Sequence, residues 1–123
     1  MPTSLVLRAG PLVLLTACAN LPTSFPPDAQ PISARELETR LAGTSYVAKS
    51  PGWRINYGAQ GQMELTLNNG QSAKGRWRAE DSRLCIDFEN TFPSGCSEMR
   101  AGHGKLYLRR NVNREVVVLT PQP

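Results

Sequence analysis

Histidine is almost missing from this 123-residue sequence, with His103 the only one. The H-E-x-x-H zinc motif is therefore excluded, and any Ser-His-Asp arrangement would have to use His103. No G-x-S-x-G elbow and neither of the glycine-rich phosphate-binding motifs occurs. No run of about 20 apolar residues is present, so no transmembrane helix is expected. Charge of one sign is not concentrated either: 14 Lys and Arg face 10 Asp and Glu, a formal net charge of +4. That excess is too small and too dispersed for nucleic-acid binding. It suits anionic lipid, lipopolysaccharide or peptidoglycan. Nothing in the chain assembles a catalytic set, so a non-enzymatic protein without cofactor or metal is expected.

What is present begins with an export signal. Arg8 is the only charge in residues 1–17, and the apolar stretch Leu12-Val13-Leu14-Leu15 follows it. A positive start followed by a short apolar run reads as a signal peptide, too short to span a bilayer as a helix. Loss of this leader removes Arg8 and lowers the charge from +4 to +3. Leu15-Thr16-Ala17-Cys18 then resembles the lipobox of bacterial lipoproteins. The resemblance implies cleavage before Cys18, which becomes the lipidated N-terminus. Two or three acyl chains attach a protein stably, where one is marginal. Ala19, rather than Asp, follows the cysteine, and by family analogy this implies the outer membrane, facing the periplasm.

Residues 18–32 read as the lipidated cysteine and a Pro-rich spacer, with Pro22, Pro26, Pro27 and Pro31. Proline biases such a segment toward extended polyproline II at about 3.1 Å per residue. Ala19 to Pro31 would then hold the domain up to roughly 40 Å from the membrane. Phe25 is the one large aromatic here and has no evident role.

Residues 33–123 read as a single β-rich domain. Ser33-Ala34-Arg35-Glu36 is a capping box, with Ile32 and Leu37 at the hydrophobic-staple positions. Leu37 and Leu41 share a helical face, and Gly43 suits the stop. After Gly43 the hydrophobic period changes to two. Strands are predicted at Ser45–Lys49, Trp53–Tyr57, Gln62–Leu67, Gln71–Ala79, Arg83–Phe88, Cys96–Met99, Lys105–Arg110 and Glu115–Thr120. The fold class is mainly β: a small antiparallel β-barrel or bent sandwich of about seven or eight short strands, with one short N-terminal helix.

Facing parity sets the registers. A two-residue Asn69-Gly70 turn would mix inner and outer faces; a three-residue loop, Asn68-Asn69-Gly70 with Gly70 left-handed, pairs Leu65 with Ala73 and Glu64 with Lys74. A loop centred on Val112-Asn113 pairs Leu108 with Val117, Leu106 with Leu119, and Arg110 with Glu115. Placing Cys85 opposite Cys96 also sets Arg83 opposite Glu98. An exported chain meets an oxidising compartment, so this register predicts a Cys85–Cys96 disulfide. The competing metal site, Cys85, Cys96 and His103, lacks close-paired ligand spacing and a fourth ligand.

Alternation puts Lys74, Arg76 and Arg78 on the outer face of one strand. They form a patch for an anionic envelope partner, or else a solvated face offset by acids such as Glu64. Trp53 and Trp77 are pocket lining or core. The domain also resembles small exported proteobacterial proteins of unknown function. It shares the look of Leu41-Ala42-Gly43-Thr44, Gly75-Arg76-Trp77, Leu84-Cys85 and Cys96. The small lipid-anchored lysozyme inhibitors offer a second comparison, although their Ser-Gly-x-x-Tyr loop is missing. The leading functional expectation is a lipid-anchored, periplasm-facing binding or envelope-maintenance module. Its partner would be an envelope protein, peptidoglycan or lipopolysaccharide. Two alternatives stay open. One is inhibition of an envelope-degrading enzyme, through the His103 turn or Asn111 to Asn113. The other is carriage of a small apolar ligand in the barrel, unless Met63, Trp77, Leu84, Ile86 and Leu106 fill it.

Overall fold

The computed structural model describes residues 21–123, so the leader at 1–17 and Cys18 lie outside the described residues. One helix, α1 (Ala34–Leu41), precedes eight strands: β1 (Thr44–Ala48), β2 (Trp53–Tyr57), β3 (Gln62–Leu67), β4 (Ser72–Glu80), β5 (Arg83–Phe88), β6 (Gly95–Gly102), β7 (Lys105–Arg109) and β8 (Val116–Gln122). Every strand pairs antiparallel with its sequence neighbour, and β8 returns to β1, giving a closed barrel. Among the described residues, closure joins the two outer strands of the sheet and so removes its free edges.

The parity argument holds at each hairpin it addressed. Leu65 faces Ala73 and Glu64 faces Lys74, across a loop in which Gly70 has φ +89. Leu108 faces Val117 and Leu106 faces Leu119. Cys85 faces Cys96 and Arg83 faces Glu98. Two strands run longer than the sequence pattern predicts. β6 continues past Met99 because it pairs with β7 as far as Gly102. β8 continues past Thr120 because closure onto β1 pairs Gln122 with Ser45.

α1 lies across one end of the barrel. Ser33 Oγ accepts from the Glu36 N–H at 3.1 Å, as the capping box requires. The reciprocal half of the box does not form: Glu36 turns to Arg40 at 2.6 Å, and Asp81 accepts from the Ala34 N–H at 2.8 Å. Leu37 and Leu41 are fully buried and, with Ile32, join the barrel core. The helix is therefore a plug, and the hairpin loops at its end are short: 58–61, 81–82 and 103–104. The loops at the opposite end, 49–52, 68–71, 89–94 and 110–115, are on the whole longer.

The Pro-rich segment does not stand off from the domain. From Pro22 to Pro31 it forms a strap lying on the outside of β6, β7 and β8. The Val116 N–H donates to the Pro22 carbonyl at 2.7 Å, and Gln30 bridges Ala101 in both directions at 2.8 and 2.9 Å. Ala29 is buried with Tyr107 and Val116, and Phe25 packs against them. Phe25 also roofs two guanidinium groups, Arg100 and Arg109, at 5.1 and 4.6 Å from its ring centre. Both arginines reach Glu98, at 3.2 and 3.0 Å. So Glu98 faces Arg83 in register but pairs elsewhere, while Arg83 pairs with Glu80 at 2.7 Å.

At the plugged end the strap is pinned by Asp28, whose carboxylate pairs with Nε2 of His103. That hydrogen bond holds the Asp28 carboxyl below the ordinary carboxylate range. A lowered folded pKa contributes stability above the unfolded value and loses it as pH falls through the folded one. Acidification to and below the ordinary carboxylate range is therefore expected to loosen the strap before the barrel opens. Hydrogen exchange at Gln30 and Val116 should then speed up while that of β3 and β4 stays slow. Equal acceleration everywhere would reject a local latch.

Candidate functional site

The barrel interior is filled unevenly. Near α1 it is solid: Tyr46, Tyr57, Trp77, Leu84, Met99, Leu106 and Leu119 are all buried. Tyr57 stands edge-on to Tyr46 and to Trp77, with ring centres 6.0 and 5.7 Å apart. The Trp77 indole N–H donates to the Gly58 carbonyl at 3.0 Å, so this Trp is a satisfied core residue. Toward the other end the inward side chains no longer meet, and a cavity of about 640 Å³ opens to solvent. That size falls within the roughly 300–1,000 Å³ range of small-molecule sites.

Its walls come from the inward rows of several strands. Trp53 and Ile55 stand on β2, Met63, Leu65 and Leu67 on β3, Ile86 and Phe88 on β5, and Leu108 on β7. Phe92, in the 89–94 loop, stacks edge-on against Phe88 at 5.6 Å and extends the wall over the mouth. Ser94 holds the base of that loop by accepting from the Phe88 N–H at 2.9 Å. Val112 closes the far lip and is 73% exposed. Polar groups are few. Arg110 lies at the rim with its guanidinium 5.1 Å from the Trp53 ring centre, paired with Glu115 at 3.3 Å.

Tyr57 contributes to the floor of this cavity. Its hydroxyl is buried and has no hydrogen-bond partner among the described residues. Burial first, and then the neighbouring Tyr46, push its pKa far above the ordinary phenol range. The floor is thus apolar, with the Tyr57 hydroxyl buried out of reach of the chamber, and the hydroxyl of Ser97 on β6 is among the few polar groups of the wall. An orphaned buried hydroxyl costs about 1–3 kcal/mol.

The residues singled out in the sequence fall in different places. Lys74, Arg76 and Arg78 do share the outer face of β4. Acids are interleaved with them: Lys74 faces Glu64 across β3, Arg76 faces Asp87, and Arg78 lies 3.6 and 3.9 Å from Glu80 and Asp87. The row is a checkerboard rather than a basic stripe. Arg76 also donates to the Gln60 carbonyl at 3.1 Å. The Cys85–Cys96 sulfurs are bonded, on the outer face of β5 and β6. Glu80 comes within 4.8 Å of them, but bonded sulfurs offer no thiolate to a metal. His103, the third ligand of the competing metal reading, is taken by Asp28 at the plugged end. Asn111 to Asn113 lie at the mouth, so the two loops considered for an inhibitor are at opposite ends of the barrel.

The cavity was only half legible in the sequence. Trp53 and Ile86 were marked as inward, but nothing local distinguishes a wall residue from a filler. Phe92 and Val112 sit in loops outside the period-two pattern and were missed. A second, smaller groove of about 250 Å³ lies between α1, the strap and the His103 turn. Its charged groups, Glu36 with Arg40 and His103 with Asp28, already pair with one another. The chain matches no protein family, no curated protein and no solved structure.

Proposed function

We propose that this protein is a non-enzymatic carrier of a small apolar ligand, lipid-anchored at Cys18 in the bacterial envelope and facing the periplasm. The observation that carries the reading is the apolar chamber, plugged at one end by α1 and open at the other. Barrels of eight strands have an interior just wide enough to be filled by side chains or to hold one small ligand. Here the filling stops halfway. The ligand has a largely apolar body, matched to the Trp53, Ile55, Leu65, Ile86 and Phe88 walls. A buried ionised group at that depth would have no counter-charge.

Native mass spectrometry of the full-length protein extracted from its own membranes tests the reading directly. A bound species of small mass at one per barrel is expected. A protein that carries nothing from the cell, and also fails to bind the apolar dye N-phenyl-1-naphthylamine, rejects it. Ile86→Trp fills the chamber and should weaken dye binding by tenfold or more, about 1.4 kcal/mol. Tyr57→Phe tests the packing beneath the chamber. Removing an unsatisfied hydroxyl should stabilise the ligand-free protein by about 1 kcal/mol, read by urea unfolding. A loss of stability on that substitution would mean that the hydroxyl has a partner.

A further inference from the structure

We propose that the open mouth of the barrel docks face-on against the lipid bilayer, so that the chamber opens onto the membrane surface. The inference rests on the lipid anchor at Cys18 and on the reading of the mouth as the ligand site. It follows from the course of the strap. Gln30 is tied to Ala101 near the plugged end, and Pro22 is tied to Val116 at the start of β8. Val116 immediately follows the 110–115 loop, so the strap climbs from the plug to the mouth as it runs toward the N-terminus. The chain therefore leaves the barrel wall at the mouth.

Only Ala19, Asn20 and Leu21 separate Cys18 from Pro22. Four residue steps span at most about 14 Å even when fully extended. An acylated Cys18 sits at the membrane, so the mouth end, and not the plug, is the end held within that distance of it. A long flexible spacer would have let either end approach the bilayer; a docked strap with a short remainder favours the mouth end.

The surface at that end is suited to lipid. Three large apolar residues are exposed among the described residues: Leu21 at 54%, Val112 at 73% and Val118 at 41%. Val112 lines the mouth with Phe92 and Trp53, and Leu21 directly precedes Pro22, which is tied to Val116 at that end. Lys49, Arg54, Arg110 and Arg114 stand on or next to the mouth loops, against Asp87, Glu89 and Glu115, and Glu115 is already paired with Arg110. An apolar lip ringed by an excess of cations matches an anionic lipid surface. The ligand would then pass between bilayer and chamber without crossing water.

The test uses the full-length chain, expressed with its leader, purified from bacterial membranes and reconstituted into vesicles of phosphatidylethanolamine and phosphatidylglycerol. One set of vesicles carries brominated acyl chains, which quench tryptophan on contact. Val112→Trp places a reporter at the mouth and Lys105→Trp places one at the plugged end, each combined with Trp53→Phe. Both positions are exposed, and buried Trp77 serves as the common internal reference. Brominated lipid is expected to cut the Val112→Trp emission at least twofold and to leave Lys105→Trp unchanged. Equal quenching of the two, or none at Val112→Trp, in protein that still sediments with the vesicles overturns the docking while the anchor stands. Protein that fails to sediment removes the anchor and this inference with it. The chamber's ligand is then judged separately by mass spectrometry.

Discussion

Gly75→Ala is expected to destabilise the barrel by about 3 kcal/mol, although it adds a single methyl group. Gly75 lies on the inward row of β4 between Ala73 and Trp77, opposite Met63 on β3 and Phe88 on β5. A Cβ there would clash with the Asp87 carbonyl oxygen and meet the Phe88 Cα at 3.1 Å. Both are backbone atoms of β5, so no side chain can swing away. β4 and β5 must part instead. The Glu89 N–H to Lys74 carbonyl bond, 2.9 Å and one residue away, is the first to stretch. Trp77, two residues on, is tied to Gly58, so the strain reaches the chamber floor. The requirement is spatial, because Gly75 is not among the residues with positive φ. It is the case in which glycine marks close approach of a second backbone. Thermal unfolding should show a drop on the order of 15 °C. A drop under a few degrees would mean that the two strands separate freely, and the close approach would carry no weight.

Removing the disulfide with Cys85→Ala and Cys96→Ala together is expected to cost a similar amount, about 3 kcal/mol. The bridge closes a loop with a sequence separation of 11. Loop-closure entropy for a ring of that size amounts to roughly 3 kcal/mol in the unfolded chain. The bond ties β5 to β6 directly below the 89–94 loop, which carries Phe92 over the mouth. Its loss should therefore do more than shift a midpoint. Urea unfolding reads the stability, and the dissociation rate of a bound apolar dye reads the mouth. Faster dye release at temperatures where the double variant remains folded is expected, because the covalent tie beneath that lip is then gone. Stability within 1 kcal/mol of the parent would show that the four β5–β6 pairs suffice alone.

Much of this fold could be read in the chain before any coordinates. Residue parity identified the three-residue loop at Asn68 to Gly70, the pairing of Leu108 with Val117, and the partnership of Cys85 with Cys96. These are local deductions: side chains alternate with a period of two, and a shift by one residue turns a whole strand inside out. Ion pairing was less legible. Register sets Arg83 across from Glu98, yet long side chains reach sideways and Glu98 is satisfied by Arg100 and Arg109. The outer row of β4 shows the same limit. Lys74, Arg76 and Arg78 are neighbours along one strand, but their potential depends on Glu64 and Asp87 from the strands on either side.

The sequence by itself determined that this is a mainly β domain with a capped helix in front, which strands face each other, and which cysteines meet. Each of these follows from spacing along the chain and from turn chemistry that needs only a few adjacent residues. Tertiary structure alone decided that the sheet closes, that α1 plugs one end, and that the strap lies on β6, β7 and β8 rather than standing away. It also decided that the other end remains a chamber. The reason is volumetric. Whether the inside of a barrel is filled depends on side chains contributed at the same height by strands far apart in sequence, and no periodicity along one strand encodes that sum. Phe25 shows it from the outside: a lone aromatic among prolines becomes a docking residue because Arg100 and Arg109 lie beneath its ring and Tyr107 and Val116 pack beside it.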